Sequence, residues 1–461
     1  MAVQEKAPSE AQIQPQAVDE GSVEYLIDPE EEKRVIRKID RALMPLMFAI
    51  FFFQFLDKQT INYAAIFGMQ TEIHVSGNDF SWAVSLFYFG QLASQFVSAY
   101  FIGRFRVATV VSISINWYKR KEHPIRVAIW QSTNGFAQII GAVLMYLIGH
   151  STTMAIASWR VMFLICGGFT VLSGGIFFWL MPTDTMTAWF LNDREREIAT
   201  KRLAMDRGTR DKAQFNKEQA KEGILDPHTW ILFCIALFIC IPSPILKFSS
   251  LVISGFGFSN FNTMLVGLPS GAIQIITSWA AALAMHYTKK GRCISGIALT
   301  LIPLVGSIVL LTLPASHKWG IVVSTWLAAQ SSSLMVVSLS LMASNVKGNT
   351  KKPTTNAIFF LGYSAGCIVG PQLWQAPDAP RYIKGCISSI VSWVLLIIFF
   401  GMYYVLFRRE NSKRRTLLLQ QTEDETGHEA PPEKLEKELH AGVDVNSDST
   451  DKQDLKFMYT I

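Results

Sequence analysis

Ten apolar segments alternate with polar loops along this chain, each close to the roughly 20 residues that a helix needs to cross about 30 Å of hydrocarbon. They run about 42–64, 80–102, 125–149, 159–181, 229–252, 263–286, 293–313, 319–342, 355–376 and 386–407. A water-soluble chain of 461 residues rarely carries so many runs of this kind, and 50% of the residues are hydrophobic. Backbone amides in lipid must bond to one another, which helices achieve within a single segment. The expected fold class is an all-α polytopic membrane protein.

The charges give an orientation. Lys33, Arg34, Arg37, Lys38 and Arg41 precede the first segment, so the positive-inside rule places the N-terminus in the cytoplasm. Loop 71–79 has no Lys or Arg, whereas Arg104, Arg106, Lys119, Arg120, Lys121 and Arg126 mark the following connection as inside. The alternation continues to Arg408–Arg415, so both termini are expected to be cytoplasmic, and only Arg381 and Lys384 fall on an outer loop. The formal charge of +6 then reflects inner loops facing anionic lipid and gives no reason to invoke nucleic acid. The six cysteines, Cys166, Cys234, Cys240, Cys293, Cys367 and Cys386, lack paired spacing and read as free thiols within or beside spans. A polar tail precedes the first span, with no cleavable signal pattern.

The long polar insert at 183–228 separates four apolar segments from six. Six helices, a long inner loop and six more is the plan of two pseudo-equivalent bundles around a midplane cavity. The expected divisions are a disordered tail (1–30), an incomplete N-terminal bundle (31–182), a linker (183–228), a six-helix C-terminal bundle (229–408) and a disordered tail (409–461). Where the third and fourth helices of a twelve-helix plan belong, Val107–Asn116 offers only about ten apolar or small residues, too few to cross at about 1.5 Å per residue. The charge alternation stays in phase across this gap, as the loss of a pair of helices would leave it.

Several motifs resemble the fungal allantoate permease family, the anion:cation symporters of the major facilitator superfamily. The likeness begins with Phe55-Leu56-Asp57-Lys58-Gln59-Thr60-Ile61-Asn62-Tyr63-Ala64 and continues through Ser81-Trp82 and Phe87-Tyr88-Phe89-Gly90. It includes Trp117-Tyr118-Lys119-Arg120-Lys121-Glu122-His123-Pro124 and Ile129-Trp130-Gln131-Ser132-Thr133-Asn134-Gly135. The second half adds Asp226-Pro227-His228-Thr229-Trp230, Gly255-Phe256-Gly257-Phe258, Ala343-Ser344-Asn345-Val346, Thr350-Lys351-Lys352, Gly370-Pro371-Gln372 and Asp378-Ala379-Pro380-Arg381-Tyr382. The resemblance implies a nominal twelve spans, about ten of them complete here, and proton-coupled uptake of a small organic anion such as a ureide, vitamin or carboxylate. It also implies a plasma-membrane carrier acting as a monomer. Two departures stand out: the third and fourth spans are missing or vestigial, and Pro242-Ser243-Pro244-Ile245-Leu246-Lys247 replaces the Asn-Gly-Gly-type stretch common in the family's seventh span.

Candidate substrate-binding residues are those polar groups whose burial in a membrane needs a reason. Asp57 and Lys58 lie deep in the first segment, where a charge costs on the order of 2.5–3.5 kcal/mol to insert. Lys58 would attract an anion while Asp57 carries a proton or holds Lys58; the alternative is snorkelling toward the headgroups. Gln91, with Ser94, Gln95 and Ser98, forms one polar stripe, and Asn134 with Gln131 and Gln138 forms another. Either stripe could line a cavity or bond neighbouring helices. Lys247 follows two helix-breaking prolines. Gln274, Asn356 and Tyr363 complete the set, while Gly362, Gly366 and Gly370 read as a packing ladder. No nucleotide loop, nucleophilic triad or metal-ligand spacing occurs, so the expected protein is a transporter without cofactor, not an enzyme. A neutral or cationic vitamin-like substrate, and a non-transporting sensor or defective isoform, remain as rival expectations.

Overall fold

The computed structural model describes residues 28–75, 78–102, 117–118, 122–150, 156–182, 185–207, 215–287, 291–379, 381–426 and 448–460. The stub expected at 107–116 and the basic stretches 103–106 and 288–290 lie outside the described residues, as does the polar segment 1–27.

All ten apolar segments are helical. The N-terminal half comprises α1 (Pro29–Ala64), α2 (Asp79–Ile102), α3 (His123–His150) and α4 (Ser158–Leu180). The connection carries α5 (Asp193–Arg207) and α6 (Lys217–Leu225). The C-terminal half comprises α7 (Pro227–Cys240), α8 (Pro244–Gly255), α9 (Asn260–Tyr287), α10 (Arg292–Thr312), α11 (Lys318–Ala328), α12 (Ser332–Asn345), α13 (Lys351–Gln372) and α14 (Ile383–Thr426). Eight helical stretches among the described residues are long and apolar enough to span a bilayer, with α7–α8 and α11–α12 each counted as one. The other two of the ten are α2 and α13.

Local chemistry sets the helix boundaries. Asp28 caps α1 by accepting from the Glu30 amide at 3.1 Å, Pro29 takes the first-turn position, and Glu30–Glu32 face the helix's positive end. At its far end Phe67 and Gly68 leave helical geometry, and the φ of +90° at Gly68 is one that a side chain rarely tolerates. Asp226 caps α7 in the same way, with Pro227 behind it. The segment 229–252 is interrupted between Cys240 and Pro244, where Pro242 and Pro244 cannot donate to the helical ladder. The segment 319–342 is also broken, at Ala329–Ser331, where a single span is expected from its hydropathy.

The helices pack through small residues. A Cβ on Gly366 would stand 2.5 Å from the Leu237 carbonyl oxygen and one on Gly370 2.5 Å from that of Ile241, while Gly362 abuts Phe233. The glycine ladder is therefore the seam between α13 and α7. The two halves meet along α3 against α9, where Gly135 and Gly271 approach each other's carbonyls, and along α2 against α13. In the second seam Ser81 donates to Trp374 O and Ser85 to Ile368 O, both at 2.9 Å, and Gln372 donates to Ser85 Oγ.

One expected division is corrected. Where a structureless tail is expected from residue 409, α14 continues to Thr426, and residues 448–460 fold back onto the end of the C-terminal half. Thr450, Asp451, Phe457 and Tyr459 are all buried there. The interactions responsible are with residues distant in sequence, as described below.

Candidate functional site

Two lysines converge in the interior. Lys247 sits one turn into α8, directly after the proline break, and is 5% exposed. Its ammonium donates to Lys58 O and Gln59 Oε1, both at 2.9 Å, so it turns inward and does not snorkel. Lys58 Nζ lies 3.5 Å from Tyr363 OH, 4.4 Å from the centre of the Tyr88 ring and 5.3 Å from that of Phe87. Ring faces attract cations through their quadrupole. Four helices thus build one cationic centre: α1 (Lys58, Gln59), α2 (Phe87, Tyr88), α8 (Lys247) and α13 (Tyr363). Among the described residues no carboxylate lies within ion-pair distance of either ammonium. Neutral oxygens and aromatic faces hold the two charges, and neither supplies a counter-charge.

One helical turn further along the same helices is an amide-lined pocket. Asn62 on α1 donates to Ser250 Oγ on α8 at 3.1 Å, and Tyr63 OH donates to the Gln138 carbonyl at 3.4 Å. Ser249, Thr263, Ser270, Thr325 and Trp326 also line this space, with Ala142, Ile253, Met264 and Gly267, and its cavity volume of about 20 Å³ is room for little more than a water molecule. Asn62 Oδ1 and Gln138 Oε1 are buried there without a donor. Buried acceptors normally find a partner, so both oxygens are available to a bound molecule carrying N–H or O–H groups.

The remaining expected residues are placed elsewhere. Asp57 does not hold Lys58; it lies one turn beyond Phe53, which stacks on Phe169 of α4, and so on a face about 100° from Lys58. Gln91 lies beyond Tyr88 on α2, partly exposed and outside both clusters. Asn134 donates to Gln131 Oε1 of its own helix at 3.2 Å. Gln274 bonds Ser332 across α9 and α12, close to Thr277 and Gln330, and acts there as a helix-to-helix contact. Asn356 is partly buried on α13, and no bond joins it to either cluster. Gln59, Asn62, Tyr63, Tyr88 and Ser250 are site residues that sequence reasoning did not single out. The spacing of Ser81, Ser85 and Tyr88 along one face of α2 was the available signal for the last aromatic contact.

A second charged centre closes the basic end of the C-terminal half. Lys351 Nζ, at the start of α13, lies 2.8 Å from Asp226, 2.8 Å from Asp451 and 3.0 Å from Glu222. Burial disfavours the Asp226 carboxylate, but the His228 hydrogen bond and the Lys351 charge outweigh it and hold the carboxyl well below the usual range. Burial likewise works against the Lys351 ammonium, yet Asp451 and Asp226 raise its pKa above the ordinary value.

Residues 106–371 match the sequence profile of the Major Facilitator Superfamily. The chain is 33% identical over 418 residues to an uncharacterized transporter of Schizosaccharomyces pombe, covering 81% of this chain and 78% of that one. It is 28% identical to the thiamine pathway transporter of Saccharomyces cerevisiae over 405 residues (78% and 76% covered). To the allantoate permease of the same yeast it is 27% identical over 433 residues (82% and 80% covered). Among solved structures, a D-xylose–proton symporter superposes with a TM-score of 0.52 at 11% identity, covering 79% of this chain and 98% of that one, which speaks for the fold alone.

Proposed function

The chain belongs to the major facilitator superfamily of secondary transporters, and we propose that it carries a small organic anion, coupled to protons, through the centre built by Lys58 and Lys247. The observation that carries this reading is the pair of ammonium groups with no carboxylate in ion-pair range among the described residues. Lys247 is buried and Lys58 partly so; cations thus short of water, with no counter-charge among the described residues, cost on the order of several kcal/mol, and an anion entering beside them relieves that cost. The site therefore selects negative charge by electrostatics, and the unpartnered Asn62 and Gln138 oxygens one turn away can accept from N–H or O–H groups of the molecule. Ureide, vitamin and carboxylate anions all fit this description, and one of the relatives is named as an allantoate permease.

Asp57 is the candidate for the coupling proton. It is a partly buried carboxyl of the first span with no cation within ion-pair distance among the described residues, facing α4 and not the lysines. A cationic substrate, such as the relative named for the thiamine pathway would suggest, needs a carboxylate at the centre, and Asp57 faces away from it. We place the basic end, with both termini, in the cytoplasm of a plasma-membrane carrier working as a single copy by alternating access.

The test is uptake of radiolabelled small carboxylates by surface-expressed protein. Lys58→Gln and Lys247→Gln should each abolish uptake at unchanged surface level. Asp57→Asn should reduce proton-driven accumulation more than exchange. Normal uptake by both lysine variants would defeat the anion reading, and accumulation of an organic cation requiring Asp57 would replace it.

A further inference from the structure

We propose that residues 448–460 are a strap that clamps the connecting helix α6 onto the C-terminal half, and that a negative charge on Thr450, as a phosphate ester would carry, releases it. The inference concerns the link between the halves and is independent of what is transported.

The strap is seated by a dense polar network. Asp451 accepts from Lys351 at 2.8 Å and from Tyr459 OH at 2.9 Å. Arg414 on α14 donates to the carbonyls of Asp451, Asp454 and Phe457 and to Tyr459 OH, at 2.7–3.2 Å. Lys347 donates to Asp454 at 2.6 Å, and Asn345 exchanges two bonds with the Thr460 backbone at 2.7 and 2.8 Å. The Tyr459 ring packs on Phe407 at 4.2 Å. The seat draws on Asn345, Lys351 and Asp226, so three of the motifs quoted for the second half meet at it.

The strap also reaches α6. Thr450 Oγ1 donates to Glu222 at 3.0 Å, and Gln219 donates to Asp448 O at 2.7 Å. On the other side of the connection, α5 is fixed to the N-terminal half through Arg194–Glu31 at 2.8 Å and Arg202–Glu122 at 2.6 Å. With both helices held, the connection from α5 to α6 is the tether between the halves. α6 is also bonded to α13 directly, Thr350 N donating to Gln219 Oε1 at 2.9 Å and Asn216 N to Thr350 Oγ1 at 3.0 Å, so releasing the strap removes part of what holds α6 and lets it move further from α5.

Thr450 is the point where charge acts. Its side chain is fully buried, its hydroxyl is a donor to Glu222, and Asp451 follows it directly. A dianion there would lose the donated hydrogen and face like charges at short range, which disrupts a contact. Lys351, which shares Glu222 with Thr450, already serves three carboxylates, and Lys452 is paired with Asp226 at 3.3 Å.

Trypsin reads the strap directly, because Lys452 and Lys456 lie within it, and cleavage follows the population of the undocked state. In detergent-solubilised full-length protein, Thr450→Glu should be cut at these sites at least about tenfold faster than wild type, and Thr450→Val by a smaller factor, since it removes the bond without adding charge. Equal cleavage of wild type and Thr450→Glu would overturn the release by charge. Spin labels on Lys201→Cys in α5 and Lys221→Cys in α6 report the tether. Their distance distribution should broaden toward longer values in Thr450→Glu, and an unchanged distribution would overturn the clamp. Both measurements omit substrate, so their failure is separate from failure of the anion reading.

Discussion

Asp40 and Arg126 in the N-terminal half hold the places that Asp226 and Lys351 hold in the C-terminal half: a carboxylate ahead of the first apolar run and a cation at the start of the penultimate helix. In the N-terminal half the pair is a fork, Arg126 Nε and Nη2 each 2.9 Å from an Asp40 oxygen, with Asp40 35% exposed. In the C-terminal half the cation is 1% exposed and answers to three carboxylates. The same lock thus works wet on one side and dry on the other. The difference follows from what covers each: the strap and α6 seal one, whereas among the described residues α5, through its buried Arg202 on Glu122, and the Tyr118 ring on Arg126 lie over the other. Above the locks the contrast continues. The C-terminal helices pack on one another, whereas α2 packs chiefly on α13 of the opposite half and leaves Trp82, Leu86, Phe87 and Phe89 exposed.

Supplying the N-terminal half with what it lacks should have the largest effect. A form carrying about 40 further apolar residues after Arg106, enough for two spans, should express better and transport faster than the 461-residue chain. Polar groups on α2 and α3 would then have interhelical partners instead of lipid. Equal uptake by the two forms would show that ten spans build a complete pathway and that the halves differ less than their helix counts suggest.

Next in size is a contrast between glycines. Gly366→Leu drives a side chain into the Leu237 carbonyl and should cost at least about 3 kcal/mol, lowering the yield of folded protein. Gly167→Leu on α4, with no atom within 4 Å of its added Cβ, should leave yield unchanged. A matching loss at both would mean that α4 is covered in a way the α1–α4 packing does not reveal.

The two locks can be compared by deleting their cations. Lys351→Met removes the cation shared by three carboxylates, leaving Asp226 with Lys452 and Asp451 with Tyr459 OH, and should destabilise by about 3 kcal/mol. Arg126→Met leaves Asp40 partly in water and should cost about 1–2 kcal/mol. Thermal unfolding in detergent reads both, and equal losses would abolish the wet–dry distinction.

The smallest effect is in pH. Asp226 is held below its ordinary pKa, so its contribution is present above about pH 4 and is lost as acid protonates the folded carboxyl. Lys351 is held above its ordinary value, so its contribution is complete below about pH 10 and fades at higher pH. The stability gap between wild type and Lys351→Met should therefore be flat from about pH 5 to 9 and close on strong acidification. A slope within that window would point to another titrating group.

Much of this architecture was legible from residue type and spacing. Apolar length alone placed all ten segments, and small residues four apart at Gly362, Gly366 and Gly370 marked the tightest helix seam. Pro242 and Pro244 gave the break, and an inserted charge behind them made Lys247 conspicuous. What escaped were features decided by distant partners. Helical angle separates Asp57 from Lys58, but only the packed bundle shows which of them meets Tyr88 and Tyr363. Residues 448–460 are mostly polar, and nothing within that stretch announces that Arg414 and Lys351 await it. Phe457 and Tyr459, two apolar side chains on alternate positions, were the local hint.

The interruption between α7 and α8 sets a fulcrum. Gly366 and Gly370 pin α7 against α13 up to Ile241, the last residues before the prolines, so any swing of this span begins at Pro242–Pro244. The lever beyond it has 12 residues and is about 18 Å long. A tilt of about 10° displaces its far end, at Gly255, by about 3 Å, while Lys247, one turn from the pivot, moves by less than about 1 Å. Such a lever can shift the far end of the span while the Lys247 ammonium group stays almost where it was.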